Sequence, residues 1–280
     1  MAPTDALATA PFDIPGQLLA GPGGDWRWNN LGYWSQDACY STACRQLAKL
    51  HGEALSLQPH HRLLELACGY GAGLELWQRT YGVTDCHALE LRQGCVDHLI
   101  NRQSVPVERV TLGSFVSCTS IASWREGFDA LVCVDAAYHA PSLVAFTDTL
   151  TYALKPGGKA AFSTLLSTEF AEPAWHRRLR RAAGISDASV VSEGALTQTL
   201  AAGGLQLASI QYLEHGVFGG FSDWVSQRHS ELSWRQRTNL AWFKVLATAH
   251  WCRYLARRPV LRYGLVQIIK APLPEPVGQA

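Results

Sequence analysis

The stretch RLLELACGYGAGLELW, residues 62–77, constrains this chain more than any other segment. An apolar run carries the acidic Glu65, a turn with Gly69, Gly71 and Gly73 follows, and a helical pattern begins at once. Glycine is needed where a backbone turns sharply and a ligand must approach its amides with no Cβ between. Strand, glycine turn and helix in that order form a nucleotide-binding corner of an α/β fold. A dinucleotide fingerprint wants a third glycine three residues after the second, but Leu74 stands there, and a Walker lysine is absent. Pyrophosphate is therefore the weaker ligand.

From residue 62 onward, short apolar runs alternate with longer amphipathic segments, the pattern of stacked βαβ units. Strands are predicted at 62–66, 86–91, 107–112, 128–134 and 159–166, with two more at 205–213 and 261–270. Upstream, residues 37–55 place Ala38, Ala43, Leu47, Leu50 and Leu55 at helical spacing, with Asp37 as N-cap. Residues 1–25, rich in Pro, Gly and Ala, read as a flexible arm, 26–58 as an N-terminal lid, and 59–170 as the binding core. Residues 171–280 complete the sheet. Within them 218–258 read as two helices that cap it, and Trp224, Trp234, Trp242, Phe243, Trp251 and Tyr254 give these more aromatic mass than a crossover needs. The expected fold is a doubly wound, mainly parallel seven-stranded sheet with an N-terminal helical lid and a helical cap inserted before the last strand.

Composition narrows the function classes. Apolar residues make up 48% of the 280 and charged residues 17%, which excludes a disordered tail and demands a sizeable core. The 24 Lys and Arg against 23 Asp and Glu leave no global field for a nucleic-acid backbone. The eight cysteines are scattered without a CxxC pair, which argues against zinc and for a reducing cytosol. No signal peptide or membrane span is apparent. A cytoplasmic monomer or homodimer acting on a small molecule, with no metal, is the expectation.

Glu65, Ala67, Gly69 and Gly71 resemble the first motif of the class I S-adenosylmethionine-dependent methyltransferases, with Ala67 where that family more often has glycine. The resemblance continues in order through residue 166 and points to the small-molecule, natural-product group with a Rossmann-like fold. Glu90, with Leu91 beside it, stands roughly 20 residues past the glycine turn, where the family's acid receives the ribose hydroxyls. In LGSF (112–115), Ser114 occupies the place of an Asp that receives the adenine amino group, and Phe115 packs on adenine. FDALVCVDAAYHA (128–140) matches the fourth-strand motif, with Asp135 beside the methyl group, and LKPGGKAAFST (154–164) matches the turn and strand that follow. NLGYW (30–34) resembles the entry segment of this group, with Tyr33 and Trp34 either as a lid over the cofactor or, equally, as a staple that holds the arm to the core. Glu65 compensates positive charge near the methionine portion. The implied cofactor is S-adenosyl-L-methionine.

Methyl transfer needs a base only where the acceptor must lose a proton. His139 follows the fourth strand, where parallel-sheet sites gather, and is the first candidate; Asp135 and Tyr138 are the second. His229 and His250 lie in the cap. The acceptor-facing set is Trp34, Tyr138, His139, Phe221, Trp224 and Trp242. Two arginine groups, Arg177, Arg178, Arg180 and Arg181, then Arg253, Arg257, Arg258 and Arg262, read as solvated helix faces. Their other reading is a clamp for an anionic acceptor such as a prenyl diphosphate. The resulting expectation is methyl transfer to O, N or C of a small, largely apolar or aromatic metabolite. Its rivals are a C-methyltransferase of a prenyl diphosphate and a non-catalytic S-adenosylmethionine-binding subunit; an NAD-dependent oxidoreductase is disfavoured by Leu74.

Overall fold

The computed structural model describes residues 14–35, 39–102, 106 and 109–272. Among the described residues eight strands form one sheet: β1 (Arg62–Leu66), β2 (Asp85–Glu90), β3 (Val110–Leu112), β4 (Phe128–Cys133), β5 (Leu154–Ser167), β6 (Val191–Ser192), β7 (Leu205–Tyr212) and β8 (Leu261–Lys270). Their order is 3-2-1-4-5-8-7. β1 to β5 pair in parallel, and β8 runs antiparallel between β5 and β7. The eighth strand is β6, a two-residue parallel addition to β5 at Leu166 and Ser167. Too short to show an alternating pattern, it left no signal in the sequence.

Both faces of the sheet are covered. Alternation along β1 sends Leu63 into a cluster with Leu47, Trp77 and Leu99, while Leu64 and Leu66 join Phe146, Leu150 and Leu196 on the other side. The first face carries α2 (Tyr40–Leu55), α3 (Ala72–Tyr81) and α4 (Gln93–Asn101); the second carries α5 (Leu143–Ala153) and α7 (Glu193–Ala202). Cys39 occupies the N-cap position of α2, and Asp37 and Ala38 lie outside the described residues. Residues 1–13 of the expected arm also lie outside them. The remainder includes the short helix α1 (Gly16–Ala20), whose Leu19 is fully buried.

The cap holds three helices instead of two: α8 (Gly220–Glu231), α9 (Trp234–Arg237) and α10 (Leu240–Arg257), with a π-helical turn at His215–Gly219 leading in. α6 (Ala174–Ala182) lies beside α10, where Trp175 meets Tyr254 edge-on at 4.9 Å. The lid is fastened to the cap. Trp34 N–H donates to Gly216 O at 2.9 Å, and the Trp34 ring stacks on Trp224 at 5.3 Å. Gly216 and Gly220 leave room for the rings of Tyr33 and Trp34, which a Cβ at either position would strike. Among the described residues no helix is long and apolar enough to cross a membrane.

Candidate active site

β1 leads to β2 on one side of the sheet and β4 to β5 on the other, so the chain's crossovers leave a crevice beyond the C-terminal ends of β1 and β4. A cavity of about 260 Å³ occupies it. Glu65, Ala67, Gly69 and Glu90 line its glycine-turn side; Leu91, Ser114 and Phe115 line the outer side, and Asp135 closes the inner end. Gly69 N–H donates to Glu90 Oε2 at 2.7 Å, and Arg92 donates to Glu90 Oε1 from its backbone at 3.0 Å and from Nε at 2.9 Å. One carboxylate thus fixes the turn and the start of α4. Ala67 sits at φ +57°, a left-handed conformation that costs a non-glycine residue about 1 kcal/mol.

Not every glycine faces the ligand space. Gly71 (φ +81°) does not line the cavity, and a Cβ there would collide with the Leu99 side chain. Its role is packing at the start of α3. Gly73 allows Glu65 to lie against that helix, because a Cβ at Gly73 would strike Glu65 Oε1. Trp77 Nε1–H donates to Glu65 Oε2 at 2.9 Å. Burial, with the charge of Glu90 adding to it, pushes the Glu65 carboxyl up to about 8 against the Trp77 donor.

Sequence reasoning missed two neighbours of this cavity. Trp28 Nε1 and Asn29 Oδ1 are buried, line it, and have no hydrogen-bond partner among the described residues. The Asn29 amide is held by Nδ2 donating to Ile14 O at 2.9 Å, and a Cβ on Gly69 would come within 3.2 Å of Asn29 Oδ1. A buried donor next in sequence to a buried acceptor fits a ligand that offers both kinds of group, as the carboxylate and ammonium of an amino acid do. These atoms, with the cradle at Gly69, fit S-adenosylmethionine.

A second cavity, about 80 Å³, lies under the cap. Leu165, Phe218, Phe221, Val245 and Trp251 give it apolar walls; Lys244 and Thr248, one turn apart on α10, add polar groups. Tyr138, His139 and Phe221 are among its lining residues, whereas Trp34, Trp224, Trp242 and the lid residue Tyr33 line neither cavity. Trp34 and Trp224 stack on each other, and the fully buried Trp242 donates to His229 Nδ1 at 2.8 Å. Helical spacing showed that these rings share faces, but those faces pack inside the cap.

Trp251 is the tryptophan that reaches the cavity. Its Nε1–H donates to His176 Nε2, and His176 Nδ1 donates to Glu172 Oε1 at 2.6 Å. Arg180 is buried and bonds Glu172 at 2.9 and 3.0 Å and Asp187 at 2.8 Å. The first arginine group is therefore only partly a solvated face. In the second group Arg253 bonds Ser222 and Ser226, and Arg262 pairs with Glu214 above the Tyr212 ring. No arginine of either group lines a cavity.

The two cavities share Asn29, Asp135 and His139 as a common wall. Asp135, at φ +55°, accepts from Leu31 N at 2.7 Å through Oδ2, and from Tyr138 Oη at 2.6 Å and Tyr263 Oη at 2.7 Å through Oδ1. Burial raises its pKa while the three donors oppose the rise. Both oxygens hold protein donors, so Asp135 pins the lid, the loop after β4 and the last strand. Tyr138 gives its hydroxyl proton to Asp135. That leaves His139: its Nδ1 lies 3.3 Å from Gly184 O, and a carbonyl only accepts, so Nδ1 carries the proton and Nε2 the lone pair. Burial pushes the His139 pKa down to about 4. His229 serves Trp242, and His250 is exposed.

A family model described as a methyltransferase domain matches residues 33–210. A Mycobacterium ulcerans (strain Agy99) protein named "Probable phthiotriol/phenolphthiotriol dimycocerosates methyltransferase 2" is 30% identical over 129 residues, covering 46% of this chain and 48% of its own. The chain spans half or less of the curated relatives it matches. Among solved structures, the mycolic acid cyclopropane synthase CmaA1 complexed with SAH and CTAB superposes with a TM-score of 0.74 at 17% identity, over 91% of this chain and 93% of that one. The geranyl diphosphate C-methyltransferase of Streptomyces coelicolor A3(2) gives 0.63 at 13% identity, over 86% and 85%. These structures share the fold. The family model covers well over half of the sequence, and the chain belongs to the methyltransferase domain family, whose cofactor is S-adenosylmethionine.

Proposed function

We propose that the chain transfers a methyl group from S-adenosylmethionine to a small, largely apolar acceptor held under the cap. The observation that carries this reading is the common wall: a cavity at the strand ends, with Glu65, Glu90 and Asp135 in its lining, and a second one beneath α8 and α10, with Leu165, Phe218, Phe221 and Val245 in its walls, meet at Asn29, Asp135 and His139. When bound, the cofactor supplies a methyl group on an already activated sulfonium. Glu90 receives the ribose hydroxyls, Leu91 and Phe115 flank the adenine with Ser114 at its amino group, and Trp28 and Asn29 take the amino-acid end. Glu65, which burial keeps protonated at neutral pH, balances the positive charge only once the sulfonium draws that carboxyl into its ionised form. The protein's remaining task is alignment and exclusion of water.

His139 Nε2 receives the acceptor's proton. A base with a pKa near 4 cannot ionise an alcohol in advance, so the proton leaves as the new bond to the methyl carbon forms. At that moment an alkylated hydroxyl, or a carbocation formed from an alkene, is acidic enough to give it up. An alkylated amine is a far weaker acid than this imidazolium, so an amine acceptor would give His139 no proton to take. The absence of the arginine groups from the cavity walls speaks against a diphosphate acceptor. A role in specialised metabolism within a reducing cytosol suits this acceptor class and the eight cysteines, none of them in a disulfide.

Calorimetric titration with S-adenosylhomocysteine, followed by radiolabelled methyl transfer to a panel of apolar alcohols, phenols and terpenoid alkenes, tests the reading. Binding of the cofactor product and labelling of a panel member support it. Binding of NADH with none of S-adenosylhomocysteine would overturn it, and labelling confined to amines would overturn the role given to His139.

A further inference from the structure

The two most exposed large apolar side chains in the described protein, Leu240 at 83% and Trp234 at 71%, lie six residues apart, and Phe243 at 54% follows. Backbone bonds from Thr238 N to Trp234 O and from Phe243 N to Asn239 O fold this stretch into one corner of the cap. Along α10 the exposed Leu240, Phe243 and Ala247 follow one stripe, while Trp242, Val245 and Ala249 point inward and are buried. The stripe passes the exposed His250 and ends at the partly buried Tyr254, where the half-exposed Trp175 of α6 packs beside it, a run of about 21 Å at helical rise. Soluble surfaces rarely gather so many large apolar groups in one place without an occupant.

Charge identifies the occupant. Of the seven Lys and Arg in residues 221–258, Lys244 lines the acceptor cavity and Arg228 and Arg253 pair with Glu231 and Asp223, which leaves Arg235, Arg237, Arg257 and Arg258 without an ion pair among the described residues, in a chain whose totals nearly cancel at 24 and 23. Arg235 lies over the Trp234 ring at 5.4 Å, and Arg177 and Arg178 are exposed on α6 beside Trp175. Aromatic and aliphatic side chains flanked by arginine form the pattern of an interfacial helix on an anionic lipid surface. The same pattern opposes a second copy of this chain, since a two-fold contact through the stripe would set these arginines near their own counterparts. We propose that the outer stripe of α10, with α9 and the adjoining end of α6, docks the protein peripherally on an anionic lipid bilayer. The flank of α10 beside the stripe supplies Lys244, Val245, Thr248 and Trp251 to the acceptor cavity, so docking would bring that cavity alongside the bilayer. Docking is independent of the methyl-transfer reading, and its test reads binding alone.

The full chain is sedimented with vesicles of phosphatidylcholine and phosphatidylglycerol in equal parts, and with phosphatidylcholine alone, at low and high salt. The protein should pellet with the anionic vesicles, less with the neutral ones, and less at high salt. The triple variant W234S/L240S/F243S touches neither cavity; its affinity for the anionic vesicles should fall by roughly tenfold or more, with S-adenosylhomocysteine binding unchanged as proof of folding. Failure of the wild type to pellet with anionic vesicles overturns the proposal, as does a folded triple variant that pellets as well as the wild type. Light scattering that shows a dimer broken by the triple substitution also overturns it, because the stripe is then covered by a second copy.

Discussion

The two cavities meet at three residues, yet they are built in different ways. The larger is made of backbone turns at strand ends and a few charged or amide groups, all within residues 27–141. The smaller is made of side chains from helices and from β5, with the lid supplying one edge, and its walls reach from residue 14 to 252. A wall of backbone holds a fixed ligand; a wall of side chains is reshaped by substitution at little cost to the sheet. Changes on the first side should therefore alter cofactor affinity and fold together. Changes on the second should alter turnover or acceptor choice with the cofactor still bound.

The largest effect is expected at Gly71. Gly71→Val forces a β-branched residue to positive φ and drives its Cβ into Leu99, so the protein should lose about 4 kcal/mol of stability together with cofactor binding. Urea unfolding and calorimetry on the same preparation check this. A variant of full stability that no longer binds cofactor would return Gly71 to the ligand side and blur the contrast between the two walls.

At the common wall, His139→Ala should lower single-turnover methyl transfer roughly a hundredfold while S-adenosylhomocysteine affinity stays within about twofold. A variant as fast as the wild type would leave the wall without a proton acceptor. Next in size, Glu90→Ala removes the partner of Gly69 N–H along with the proposed ribose acceptor, and cofactor binding should weaken by about 2 kcal/mol. The KM for the acceptor should hold steady; a matching rise would show that the two cavities are not separable.

The last effect is a pH slope. In the folded protein the Glu65 carboxyl is raised from 4.5 to about 8, so the native state keeps a proton that the unfolded chain has lost. Its contribution to stability is full below 4.5, is lost as pH rises toward 8, and is flat above. Glu65→Gln should remove that slope in cofactor-free protein, as read from urea midpoints at pH 5 and pH 8. Identical pH profiles for the two proteins would take Glu65 out of this account. Wild-type affinity for S-adenosylmethionine should climb with pH over the same range, because the sulfonium favours the ionised carboxylate.

What the sequence determined by itself was local. The strands at 62–66 and 261–270 coincide with the observed ones, and most others agree to within a few residues, because period-two burial and turn chemistry act over a few neighbours. Glu65 and Glu90 were legible for the same reason: each lies at or near the end of a strand that announces itself. Tertiary structure alone decided which groups face the cavities. Asp135 takes its donors from 104, 3 and 128 residues away, and Trp251 is turned by His176, 75 residues distant. Trp28 Nε1 and Asn29 Oδ1 acquire meaning only because, once everything around them has packed, neither meets a partner among the described residues. Periodicity says which side chains share a face of a helix. Whether that face meets a neighbour or a cavity depends on contacts across the whole chain, and so do the hydrogen bonds that hold or release each polar atom.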